Sequence, residues 1–163
     1  MEFSHLDEEK RPRMVDVTKK EPTPRVAVAR GTVVMRPETV AAIEGGSVAK
    51  GNVFDVAKVA GIMAAKKTAD MIPMCHPLEL TGIDVDFVSN APSGTVVIEA
   101  RVTNIGRTGV EMEAMTAVSV AALTVYDMCK SADRAIVITD VKLMKKDGGK
   151  SGLFEREESS VKR

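Results

Sequence analysis

Residues 108–130 constrain the fold most, because they predict one long helix that is apolar in most directions. From Val110 onward the segment contains neither glycine nor proline, so at 1.5 Å per residue it would span roughly 30 Å. Thr108 is placed to be the N-cap, and Glu111, three residues later, to complete a capping box. Since a helix that is apolar nearly all round is usually buried, we expect this one to form the centre of the core.

The polar residues of this helix share the one remaining sector, and two of them are three residues apart. Asp127 and Lys130 should therefore be neighbours, either as a surface ion pair of little energetic weight or as a functional pair. We expect the negative C-terminal end of the helix to disfavour an ionised Asp127 and to suit Lys130. A carboxylate held there by a lysine is a candidate acid/base group.

Two glutamates lie near the start of the same helix. Glu111 and Glu113 are about 200° apart on a regular helix, so we expect that they do not face one pocket. Glu111 is explained by the capping box, whereas Glu113 has no such explanation and shares the sector of Asp127. Those two lie roughly 20 Å apart along the axis, so a ligand that uses both must be large or must bind between protomers.

The amino-acid composition restricts the class of protein. Lysine plus arginine equals aspartate plus glutamate at 23 each, and aromatic residues are only 3%, which argues against a nucleic-acid partner. Neither a membrane span nor a secretory leader is predicted, and the two cysteines predict reduced thiols in the cytoplasm. We expect residues 1–13 to form a flexible tail, residues 14–154 a single domain, and residues 155–163 a charged tail.

The order of predicted elements indicates an α+β fold. It matches the β-α-β-β-α-β pattern of a ferredoxin-like sandwich, in which an antiparallel sheet carries helices on one face. The uncovered sheet face favours self-association. The predicted elements are a strand at 25–36, a short helix from Pro37 to Gly45, a helix from Val53 to about Asp70 capped by Asn52, a loop at 71–77, a hairpin of strands 83–88 and 95–102, the long helix, and a strand at 135–144.

Two further segments are candidate ligand contacts. The loop around Met74, Cys75 and His76 lacks the further ligands that a zinc site needs, so a structural loop and a ligand-contacting loop both remain open. Residues 145–152 form a basic, glycine-rich loop that does not fit the phosphate-binding P-loop pattern. Together with Lys50, just before a helix N-terminus, this loop favours an anionic, phosphorylated small ligand.

Several of these segments resemble the cyclic pyranopterin monophosphate synthase family of molybdenum cofactor biosynthesis. The resemblance covers about residues 14–154, with the motifs in the same order. The matching segments are residues 14–17, 50–54, 72–78, 108–114, 126–130 and 148–152.

The resemblance implies a lyase that converts (8S)-3',8-cyclo-7,8-dihydroguanosine 5'-triphosphate to cyclic pyranopterin monophosphate and releases diphosphate. It also implies a ferredoxin-like protomer in a homohexamer, a trimer of dimers with active sites at protomer interfaces. No metal site and no required cofactor are expected, and Mg²⁺ as a counterion of the phosphates is left open. The family pattern implies Asp127, Lys130 and Lys50 as catalytic residues, and Met74, Cys75, His76, Met112, Glu113, Glu111 and Lys146 as substrate-binding residues.

Two other classes remain open from the residues themselves. One is a ferredoxin-like regulatory module that binds a nucleotide without turnover. The other is a protein that binds RNA through its sheet, which the scarcity of aromatic residues on the predicted strands disfavours.

Overall fold

A computed structural model describes residue 9 and residues 11–157 of the chain. The rest of the two predicted tails lies outside the described residues. The elements are β1 (Thr23–Val34), α1 (Pro37–Glu44), α2 (Val53–Ala65), α3 (Thr68–Met71), β2 (Leu80–Asn90), β3 (Thr95–Gly106), α4 (Glu111–Cys129), β4 (Val137–Asp147) and β5 (Phe154–Glu155).

The strands form one antiparallel sheet in the order β2-β3-β1-β4-β5. The β2-β3 hairpin lies at one side, and the two helical crossovers place β1 between β3 and β4. This topology confirms the predicted ferredoxin-like α+β fold. The short strand β5, which the sequence analysis did not predict, extends the sheet beyond β4.

Helix α4 lies at the centre of the core, as predicted. Ten of its nineteen residues are buried, and β1 approaches it so closely that a Cβ on Gly31 would lie 2.7 Å from Val118 Cγ1. Helix α2 packs beside α4 through small residues, where a Cβ on Gly61 would lie 3.0 Å from the Ala117 carbonyl oxygen. Small residues on this side of α2 thus allow the two helices to pack closely.

One face of α4 is exposed, and it includes apolar side chains as well as the expected polar ones. On this face Leu123 keeps 58% of its surface exposed and Met112 keeps 38%. Asp127 and Lys130, at the C-terminal end of the helix, are also exposed. The sheet and α2 cover the remaining faces of the helix. Among the residues that the structure describes, therefore, nothing covers one partly apolar face of α4.

Both long helices are shorter than predicted. Helix α4 begins at Glu111, with Val110 as an N-cap that makes no side-chain bond, so the predicted capping box from Thr108 is absent. Helix α2 ends at Ala65, not near Asp70, because the backbone leaves the helical conformation at Lys67 (φ −113°, ψ 12°) and the separate short helix α3 follows. In the described part of the chain, no helix combines the length and the apolar character that crossing a membrane requires.

Candidate active site at the two ends of helix α4

Three predicted residues meet at the C-terminal end of α4. Lys130 Nζ lies 2.6 Å from Asp127 Oδ1, and Lys50 Nζ lies 3.1 Å from Asp127 Oδ2. Lys50 Nζ also donates to the backbone carbonyl of Asp127 at 2.7 Å. Each oxygen of one carboxylate thus has its own ammonium partner, and we call these three residues the Asp127 cluster.

The turn before α2 places Lys50 in this cluster. Gly51 has φ of +99°, a conformation that glycine adopts without strain. Asn52 then caps α2, because its Oδ1 accepts bonds from the backbone N–H groups of Phe54 and Asp55 at 3.1 and 3.2 Å. The predicted Asn52 cap is therefore confirmed, and it aligns the preceding lysine with the end of α4.

The two lysines determine the charge state of Asp127. Hydrogen bonds from Lys130 and Lys50, followed by their positive charges, hold the pKa of Asp127 below its ordinary value. The same contact raises the pKa of Lys130. The expectation that the helix end would disfavour an ionised Asp127 was wrong, since two direct ammonium contacts outweigh a helix dipole. One carboxylate and two ammonium groups leave a net positive charge that suits an anion.

Asp133, just beyond this cluster, was missed by the sequence analysis. Its carboxylate is buried and accepts bonds from the backbone N–H groups of Arg36 at 2.8 Å and Ala135 at 3.1 Å. Thr39 Oγ1 lies 3.4 Å from the same carboxylate. These bonds tie the chain after α4 to the start of α1. The sequence contains no local pattern that marks this long-range tie.

A cavity of about 350 Å³ lies at the opposite, N-terminal end of α4. It brings together six of the predicted substrate-binding residues from two segments of the chain. We call it the Glu113 pocket. Its lining consists of Val15, Lys20, Met74, Cys75, His76, Leu78, Thr108, Gly109, Glu111, Met112 and Glu113.

Both glutamates line this pocket, so the expectation that they could not face one pocket was wrong. Glu111 is the first residue of α4, where the chain is not yet a regular helix. Its carboxylate folds back over Gly109, so that a Cβ there would overlap it. Because its carboxylate folds back at the start of the helix, Glu111 neither caps α4 nor faces away from the pocket that Glu113 lines, contrary to both predictions.

Glu113 is the buried acid of the pocket, with 4% of its surface exposed. Burial raises its pKa to about 6, a bond from its own backbone N–H opposes the rise, and the nearby charge of Glu111 adds to it. Burial, and then Glu113, raise the pKa of the Cys75 thiol. The pocket thus holds a carboxyl group that can exchange a proton close to neutral pH, beside a thiol that is not a ready nucleophile.

His76 connects the pocket to the N-terminal part of the chain. Its Nε2 donates to the backbone carbonyl oxygen of Val15 at 2.8 Å. Val15 and Lys20 thereby form one wall of the pocket, a position that the sequence analysis did not predict for Lys20. The predicted 74–76 loop is therefore both a structural anchor and part of the pocket lining.

A basic recess of about 670 Å³ adjoins the Glu113 pocket and shares Lys20 and Thr108 with it. Arg25 and Arg107, which were missed, line it together with Lys150 of the predicted glycine-rich loop. Lys146 lines neither cavity among the described residues. Instead its Nζ donates to Ser151 Oγ at the base of that loop.

One chain does not bring the Asp127 cluster and the Glu113 pocket together. They lie at opposite ends of α4, whose nineteen residues span about 28 Å. Within this unbroken helix, Glu113 and Asp127 are about 20 Å apart along the axis. Among residue 9 and residues 11–157, no group of three or more His, Cys, Asp or Glu side chains is placed to hold a metal ion.

Comparison with known proteins places the chain in a family. The model of the MoaC family matches residues 14–149. A cyclic pyranopterin monophosphate synthase from Pelotomaculum thermopropionicum is 63% identical over 154 residues, covering 94% of this chain and 91% of the relative. Proteins of the same name from Desulfitobacterium hafniense and a Thermoanaerobacter species are 60% and 55% identical. These two matches cover 97% and 96% of this chain, and 96% and 99% of the relatives.

Proposed function

We propose that this chain, which belongs to the MoaC family, is an enzyme of molybdenum cofactor biosynthesis, a cyclic pyranopterin monophosphate synthase. Its substrate would be (8S)-3',8-cyclo-7,8-dihydroguanosine 5'-triphosphate, and its products cyclic pyranopterin monophosphate and diphosphate. Relatives that carry this name match nearly the whole chain. The observation that carries the proposal is the Asp127 carboxylate between Lys50 and Lys130.

The Asp127 cluster suits the closure of a cyclic phosphate. A hydroxyl oxygen of the substrate forms a bond to the α-phosphorus, while the bond from that phosphorus to the diphosphate breaks. Asp127 is ionised at neutral pH and can accept the hydroxyl proton; its contacts with Lys130 and Lys50, which hold its pKa below the ordinary value, make it a weaker base in the free protein. Lys50 and Lys130 then neutralise the charge that develops on the phosphate and on the departing diphosphate.

The Glu113 pocket suits the ring of the substrate. Opening a purine-derived ring and closing a pterin both require proton transfers, and Glu113 has a pKa of about 6. Met74 and Met112 offer adaptable apolar contacts to a ring, while Glu111, Cys75 and His76 supply polar groups. The cations of the adjoining recess would bind phosphate oxygens. Lys146 would act on that recess by holding Ser151.

We propose that active sites form between protomers of a homohexamer, a trimer of dimers. The roughly 28 Å between the ends of α4 exceeds what one small nucleotide can bridge. A neighbouring chain could supply the Asp127 cluster to complete the Glu113 pocket. The exposed, partly apolar face of α4 supports such an association.

No redox cofactor is proposed, because forming a cyclic phosphate and releasing diphosphate transfers no electrons. Where Mg²⁺ takes part, we expect phosphate oxygens and water to hold it. We place the enzyme in the cytoplasm and without a nucleic-acid partner. Its two cysteines, both free thiols, agree with that location.

Product formation from the cyclised dihydro-GTP tests the proposal. Asp127→Asn should lower kcat by about 10²–10⁴-fold, the usual contribution of a general acid/base, while the variant still binds the substrate. Asp84→Asn, at an exposed position on β2, is the matched control and should retain activity. A wild-type protein that binds the nucleotide without turnover would overturn the enzyme assignment and favour a regulatory module.

A further inference from the structure

The chain returns to β4 directly after the glycine-rich loop. Strand β5 pairs with the end of β4, so residues 148–153 connect two paired strands. Arg156, just beyond β5, extends this pairing, because its backbone N–H donates to the Met144 carbonyl oxygen at 2.7 Å. We call residues 154–156 the C-terminal clasp, since they fix the far end of the loop.

Side chains strengthen the clasp. Arg156 Nε donates to the Leu143 carbonyl oxygen at 2.8 Å, and its guanidinium carbon lies 5.8 Å from the centre of the Phe154 ring. Lys145 Nζ also lies 3.8 Å from Glu155 Oε1 across the two strands. Arg156 therefore contacts both β4 and β5, and it joins the two strands more closely than their short pairing alone.

The near end of the loop rests on the start of β1. A Cβ on Gly148 would overlap the Pro24 carbonyl oxygen, and one on Gly149 would overlap the Arg25 guanidinium. That guanidinium is itself held, because Arg25 Nε donates to the Gly106 carbonyl oxygen at 3.3 Å. The loop therefore lies between β1 on one side and the clasp on the other.

Lys150, in the middle of this loop, is exposed and lines the basic recess. Lys20, Arg25 and Arg107 line the same recess, and Glu21 is the one carboxylate among the described lining residues. Four cations and one carboxylate leave an excess of positive charge. Several cations around one recess suit a group with many anionic oxygens, such as a diphosphate.

We infer that the C-terminal clasp positions the glycine-rich loop so that Lys150 binds the two terminal phosphates of the substrate, which leave as diphosphate. The identity of this ligand rests on the proposed function, whereas the position of the loop rests on the contacts of Arg156. Glycine-rich segments have many accessible backbone conformations, and binding weakens in proportion to the fraction of chains that hold the competent one. Arg156 therefore acts on affinity through Lys150, as a positioning residue.

Binding of inorganic diphosphate tests the positioning without catalysis. Arg156→Ala should weaken this binding about fivefold in calorimetry, the loss expected from one charge-assisted hydrogen bond at an exposed position. Arg101→Ala is the matched control and should bind like wild type, because this exposed arginine of β3 lines a different cavity. Wild-type affinity in Arg156→Ala, or no binding by the wild-type protein, would overturn the inference.

A disulfide in place of the clasp separates the position of the loop from the charge of Arg156. Lys145 and Glu155 are paired across β4 and β5, and facing residues of antiparallel strands have Cα atoms about 4.5–5.5 Å apart, within the reach of a disulfide. Lys145→Cys with Glu155→Cys, added to Arg156→Ala, should restore wild-type binding of diphosphate when oxidised but not when reduced. A bond that fails to form, or that forms without restoring the affinity, would contradict the inference.

Steady-state kinetics separate binding from chemistry. Arg156→Ala should raise KM for the cyclised dihydro-GTP about fivefold and change kcat little, because the terminal phosphates are charged before the reaction as well as during it. A fall in kcat with an unchanged KM would refute the role of the clasp in binding. Weaker diphosphate binding by Arg156→Ala, when even the wild-type protein makes no pterin product, would contradict the proposed function and leave the clasp standing. Normal product formation with unchanged diphosphate binding in Arg156→Ala would do the reverse.

Discussion

Replacing the buried Glu113 by glutamine should stabilise the protein at pH 8. The pKa of Glu113 is raised from an ordinary 4.5 to about 6, so the folded chain holds this proton more tightly than the unfolded chain. Below pH 4.5 the carboxyl group is protonated in both the folded and the unfolded state, so its ionisation does not lower the free energy of unfolding. As the pH rises through 6, the folded state must ionise a buried group, and the free energy of unfolding falls by about 2 kcal/mol.

Glutamine keeps the shape of the protonated acid and cannot ionise. Glu113→Gln should therefore exceed wild type by about 2 kcal/mol at pH 8, or about 4–8 °C in Tm, and should match it near pH 4.5. Urea and thermal unfolding at both pH values, at one protein concentration, measure the difference. Glu44→Gln, at an exposed position, controls for the change in net charge. A Glu113→Gln variant that is less stable than wild type at pH 8 would show that an ionic partner holds the carboxylate, and would refute the reasoning.

Two substitutions away from the pocket test the supports of the site. Asp133→Asn should lower the free energy of unfolding by about 2 kcal/mol, because the bond from the Arg36 N–H weakens. Hydrogen bonds hold the pKa of Asp133 below 3.8, so the difference in unfolding free energy between the variant and wild type should shrink as the pH falls below that value. Urea unfolding in acid measures this difference, and a difference that does not change with pH would contradict the prediction. Gly149→Ala should destabilise more than Gly152→Ala: both have positive φ, but only at 149 would the Cβ overlap a side chain, that of Arg25. Equal losses in thermal unfolding would show that the overlap costs nothing.

Patterns that depend on neighbouring residues predicted most of the fold. The absence of glycine and proline predicted α4, alternation predicted the hairpin, and the spacing of three residues predicted the contact of Lys130 with Asp127. Such rules act within one element, and tertiary contacts changed the element ends. Glu111 was expected to cap α4, but its carboxylate instead folds back over Gly109 and lines the pocket.

Long-range contacts account for what was missed at the site. Lys50 and Asp127 are 77 residues apart, so no spacing rule could place them together, and only the resemblance to a family paired them. Without that contact, the helix dipole alone gave the wrong direction for the pKa of Asp127. Arg25 and Arg107 stand alone in the sequence, without a pattern that marks a cation as part of a recess.

A single uninterrupted helix carries one part of the proposed active site at each of its ends. In the proposed assembly, the two parts borne by one α4 belong to two different sites. A mutation that displaces the whole helix in one chain would then damage both sites of a pair, even when the partner chain is wild type. A mutation confined to one end would damage a single site. In genetic terms, mutations in the middle of α4 should be dominant over a wild-type copy, while mutations at either end should complement each other.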